Sequence, residues 1–67
     1  MESFAKRLIR LRTERGLSQN QLAKQAGVSA YMVKTFESGN IYRGSLKYCL
    51  KLVRFLNITL AELFADD

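Results

Sequence analysis

The side chains of this sequence that are equipped for chemistry are cations and amides, with very few nucleophiles, bases or metal ligands. Eleven Lys and Arg stand against six Asp and Glu, there is no His, and Cys49 is the lone thiol, for a formal net charge of +5. The acids are scattered without a paired arrangement, and no phosphate-cradling glycine loop is present. The inventory therefore argues against an enzyme and calls for no cofactor, metal or small-molecule ligand. A basic surplus instead attracts a polyanion: nucleic acid first, an acidic membrane or protein second. Glu62, Asp66 and Asp67 lie near the C-terminus, so the excess falls almost wholly on residues 3–58.

Sixty-seven residues are enough for one domain, here 1–67, with a small core. The chain is 48% hydrophobic, with four Gly and no Pro, a profile of packed helices rather than of a disordered tail. A single cysteine cannot form an internal disulfide, which fits a reducing, cytoplasmic setting and makes Cys49 a small buried hydrophobe. No apolar run approaches the roughly 20 residues of a membrane span, and no signal-peptide pattern opens the chain.

Positioning the cations falls to five predicted helices, for an all-α fold without strands. The first covers about 2–15, with Phe4, Leu8 and Leu11 on one face and Gly16 as its stop. Lys6, Arg7 and Arg10 then coat its outer surface. Ser18 to Gln21 reads as a capping box opening a second helix, which carries Leu22, Ala23 and Ala26 inward and ends at Gly27. Ser29 caps a third, running to about Ser38 with Val33 and Phe36 inward and Gly39 beyond. Ser45 is read as the cap of a fourth helix reaching Leu56, with Leu46, Cys49, Leu50, Val53 and Leu56 as its buried stripe. That choice leaves Tyr48, Leu52 and Phe55 partly outside. Asn57 is a plausible left-handed stop, and Thr59 to Glu62 is a second capping box for a short last helix holding Leu63 and Phe64.

The block from Gln19 to Ser38 carries the functional argument. Two helices that cross steeply through a short turn need a small residue at the crossing, here Ala23, and a glycine in the turn, here Gly27. With Val33 and Phe36 inward, helical periodicity leaves Ala30, Tyr31, Lys34 and Thr35 on the outer surface. Lys34, Arg43 and Lys47 form a basic arc around that surface.

These residues resemble the helix-turn-helix family of lambdoid phage repressors and Cro proteins, the Cro/C1-type or XRE family. The resemblance runs over roughly residues 4–64, through Leu8 to Arg12, Gly16-Leu17-Ser18-Gln19, Leu22-Ala23, Gly27-Val28-Ser29, Glu37-Ser38-Gly39 and Leu56 to Phe64. It implies a compact five-helix, lambda-repressor-like domain with its helix-turn-helix at about 18–38. It also implies a bacterial or phage-encoded, nucleoid-associated transcriptional repressor acting by operator occupancy. In such proteins the second helix of the motif enters the major groove of double-stranded DNA. Carried onto this sequence, the base readers are Ser29, Ala30, Tyr31 and Thr35, with Lys34 beside them. Ala30 and Tyr31 depart from the amide-bearing types common in relatives: alanine can touch only a thymine methyl, and tyrosine can hydrogen-bond or pack.

The resemblance further implies that Gln19 holds a phosphate and braces the recognition helix. Asn40, Tyr42 and Arg43 match positions that follow the sugar-phosphate backbone, and Lys47 extends the track. Arg12 and Glu37 match a partly buried salt bridge. Relatives pair through their C-terminal helices, which implies a homodimer on a palindromic site using Phe55, Ile58, Leu60 and Phe64. The rival is a protein-interaction module or antitoxin component built on the same fold, and RNA binding ranks third.

Overall fold

Apolar residues three and four apart draw five helices and one 3-10 turn around a shared core. The computed structural model describes residues 2–65; Met1, Asp66 and Asp67, the last two part of the acidic end, lie outside the described residues. In chain order the elements are α1 (Phe4–Glu14), α2 (Gln19–Ala26), α3 (Ala30–Glu37), a 3-10 turn (Arg43–Ser45), α4 (Leu46–Leu56) and α5 (Leu60–Leu63). No strand occurs among the described residues, and the all-α, five-helix expectation holds.

The predicted boundaries follow their side-chain chemistry. Ser3, Ser18, Ser29 and Thr59 each accept a backbone N–H from the first turn of the helix they precede, and Ser18 and Thr59 complete capping boxes with Gln21 and Glu62. Gly27 lies at φ 80°, in the left-handed region, and its N–H reaches the Ala23 carbonyl at 3.0 Å, closing α2 into the turn before α3. Asn57 ends α4 at φ 59°.

The core is formed by Leu8, Leu22, Ala23, Met32, Val33, Phe36, Cys49, Leu52, Val53, Leu56 and Leu63. Four expectations change here. In α4 the buried stripe is Cys49, Leu52, Val53 and Leu56, while Leu46 and Leu50 are 44% and 41% exposed. Both stripes are apolar, and they differ in where they leave the cations. At about 100° per residue, the observed rotation turns Lys47, Lys51 and Arg54 directly away from the core; the other would bring Arg54 to its flank. Ser45 stands at the N-cap position of α4, as expected, but it is fully buried and its side chain makes no capping hydrogen bond there. Its hydroxyl instead donates to the Tyr42 carbonyl at 2.7 Å and accepts the Tyr42 N–H at 3.1 Å, fastening the 3-10 turn.

Arg7 is the third change: it does not coat α1 but lies 6% exposed beneath the chain's C-terminal end. Its guanidinium donates to the carbonyls of Glu62 (2.8 Å), Leu63 (3.3 Å) and Ala65 (2.8 Å) and to Glu2 (3.1 Å). Carbonyls at a helix C-terminus lack the full set of intrahelical partners, and a charged donor supplements them. The fourth change is Ala30, which is half-buried against the core rather than fully outward.

Candidate nucleic-acid interface

The outward surface of α3 follows from what its inner face must bury. Met32, Val33 and Phe36 face the core, so Tyr31 and Lys34 are left outside, with Thr35 half-buried between them. Tyr31 is 72% exposed, the highest value of any large apolar side chain described. Ser29 stands at the cap with its hydroxyl accepting the Met32 N–H at 3.1 Å, and the Thr35 hydroxyl donates to the Tyr31 carbonyl at 2.8 Å. Met32 is a core residue that the sequence reading passed over, although its place beside Val33 and four residues before Phe36 was signal enough.

α3 is held at both ends. At its N-terminus the tight turn at Gly27 fixes its angle to α2. At its C-terminus Glu37 receives Arg12 through Nε at 2.6 Å and Nη2 at 3.1 Å, and Gln19 Nε2 at 2.9 Å. Arg12 also donates to the Leu17 carbonyl at 2.8 Å. The expected Arg12–Glu37 bridge is thus present, and Gln19 joins it as a third member tying the start of α2 to the end of α3.

Beyond α3, Asn40, Tyr42 and Arg43 are exposed on the segment leading into the 3-10 turn, and Lys47 opens outward from the first turn of α4. The Asn40 N–H returns to the Thr35 carbonyl at 3.0 Å, and the Tyr42 hydroxyl rests 3.9 Å from the Met32 sulfur, so this segment is tied back to α3. The Lys47 ammonium lies 5.0 Å over the Tyr48 ring.

Charge is sorted by this arrangement. The described acids are engaged away from the outer face of α3: Glu2 with Arg7 and Arg10, Glu14 with Arg10, Glu37 with Arg12, and Glu62 in its capping box. Lys34, Arg43 and Lys47 make no ion pair among the described residues, leaving a positive field around an outward helix. Two arginines hydrogen-bond Glu2 and hold its carboxyl below the usual glutamate range, Arg10 having the larger effect. Burial pushes the Cys49 thiol up, which keeps it protonated and inert.

The four residues expected at a dimer seam are not all brought together. Phe55 lines a groove with Gln25, Ala26, Lys51 and Arg54, whereas Ile58 lines another with Arg7, Arg10, Leu11, Glu62 and Ala65. Leu60 is half-buried against the core. Phe64 is 40% exposed and packs on Phe4 with ring centroids 5.0 Å apart.

An outward helix braced by a second across a glycine turn, flanked by uncompensated cations, defines a helix-turn-helix DNA-binding regulator. Residues 8–63 match the family described as Helix-turn-helix, and the chain belongs to it, in its Cro/C1-type or XRE branch. That family is one of DNA-binding domains rather than enzymes. No curated protein and no solved structure matches the chain. Among the described residues no helix is long and apolar enough to cross a membrane.

Proposed function

We propose that this protein is a sequence-specific repressor that occupies an operator, with α3 in the major groove. Ser29, Ala30, Tyr31, Lys34 and Thr35 face the base edges in this reading. Gln19, Asn40, Tyr42, Arg43 and Lys47 follow the phosphates, the first aided by the partial positive charge of the α2 N-terminus. The observation that carries it is the pairing of an outward α3 with unneutralised Lys34, Arg43 and Lys47.

The reading carries a homodimer on a palindromic operator, with which the size of one copy is consistent. The described residues extend 29 × 28 × 20 Å, less than the roughly 34 Å that separates half-sites one turn apart. One copy therefore reaches one half-site, and a palindrome needs two. Ile58, Leu60 and Phe64 are the seam we assign to that contact, with Phe55 at its margin. By excluding polymerase, such a dimer represses without a ligand or a second activity.

Titration of selected and random duplexes over a salt series tests the reading. A specific binder keeps its sequence preference while log affinity falls against log salt by about 0.9 per phosphate neutralised. Arg43→Ala should weaken all sequences alike and reduce that slope by about 1, whereas Tyr31→Ala should relax base preference at a cost of about 1–3 kcal/mol. Equal affinity for every duplex would overturn it. Leu46 and Leu50, exposed one turn apart on α4, favour a second reading, a protein-interaction module or antitoxin component. In its antitoxin form a paired Leu46→Ser and Leu50→Ser change abolishes partner binding and leaves DNA binding intact; in its module form no duplex is bound at all.

A further inference from the structure

Resting on the reading of α3 as the groove helix, we infer that this protein recognises its site through pyrimidine C5-methyl groups, chiefly thymine. Paired hydrogen bonds from α3 to an adenine edge play no part in this recognition. Reading a purine by two hydrogen bonds takes Arg or Lys for guanine and Asn or Gln for adenine. α3 and its cap contain no Arg, Asn or Gln, and Lys34 is their one candidate for guanine, the sequence from Ser29 to Glu37 being Ser-Ala-Tyr-Met-Val-Lys-Thr-Phe-Glu.

The polar groups that are present are mostly engaged. The Ser29 hydroxyl accepts from the Met32 N–H, the Thr35 hydroxyl proton is donated to the Tyr31 carbonyl, and one N–H of the Gln19 amide is donated to Glu37. Lys34 remains for a guanine edge and the Tyr31 hydroxyl for one further contact. What the surface offers otherwise is carbon: chiefly a Tyr31 ring that is 72% exposed, with the half-buried Ala30 and Thr35 on the same helix. In the major groove the distinctive apolar group is the thymine methyl, and covering it with these carbons removes both surfaces from water.

The test places the substitutions in the DNA, so the folding of the protein is not at stake. The strongest duplex selected from a random pool is remade with uracil for each thymine in turn, and with a cytosine–guanine or 5-methylcytosine–guanine pair at the same positions. Each contacted thymine should lose about fourfold in affinity as uracil, and 5-methylcytosine should bind better than cytosine. Thr35→Ser, which keeps the hydroxyl and removes the methyl, should erase the uracil penalty at one position, while Tyr31→Phe should leave the penalties in place. A selected site that binds equally well with uracil throughout overturns methyl reading and leaves sequence-specific binding standing. A pool that yields no preferred sequence removes the groove reading itself, and this inference with it.

Discussion

Glu37 receives three donors from two other parts of the chain, Arg12 twice and Gln19 once, while its own side chain is only 5% exposed. A carboxylate so enclosed depends on every partner, because the desolvation penalty of each ion is offset only while the pair is intact. Glu37→Ala should therefore destabilise the fold by about 3–5 kcal/mol, leaving the Arg12 charge unpaired; urea denaturation measures it. Replacing both Arg12 and Glu37 by leucine should recover much of that loss, since a well-packed apolar pair carries no desolvation penalty. Gln19 combines this brace with its proposed phosphate contact, so Gln19→Ala should lower stability and DNA affinity together.

Whole elements are fixed by contacts at their ends. Arg7 in α1 closes the carbonyls at the end of α5, and Arg15, the C-cap of α1, reaches the Leu56 carbonyl at the end of α4 at 2.7 Å. One helix thereby pins the termini of two others. Arg7→Ala should cost about 1.5–3 kcal/mol, the range for hydrogen bonds to a charged group, and should speed hydrogen exchange first at the amides of α5. Rotation of α4 makes a sharper comparison. Leu52→Ala should cost about 2–5 kcal/mol because it empties a fully buried site, whereas Leu50→Ala on the exposed side should stay within about 0.5 kcal/mol. Equal effects from the two would contradict the packing described.

Across the molecule, the carboxylates that form ion pairs all pair with arginines of α1, whereas Lys34, Arg43 and Lys47 make no ion pair among the described residues. The lowered Glu2 carboxyl gives the paired set an acid limit. A carboxyl lowered on folding stabilises the native state fully above its ordinary value, near 4.5, and that contribution is lost as pH falls through the lowered one. Melting temperature followed from neutral pH to pH 2 should drop more steeply for the natural chain than for Glu2→Gln. Dimer formation belongs to the same scale, and sedimentation in the presence of a palindromic duplex should find two copies per duplex. One copy at saturation would sink that proposal.

Caps, turns and the helix-turn-helix block were legible in the sequence because they are local. A serine or threonine three residues before its amide, or a glycine at a left-handed turn, carries its reason within a single turn of chain. The Arg12–Glu37 bridge was legible only through family resemblance, since 25 residues separate its partners. Tertiary structure alone decided the rest. α4 held two apolar stripes of nearly equal merit, with Lys47 and Lys51 outside in either, and the helices packed against it set the rotation observed. Arg7 looked like one more surface cation, and its burial depended on carbonyls 55 to 58 residues away. Local periodicity states which faces of a helix are apolar, but where two are, only the neighbouring helices determine which one is buried.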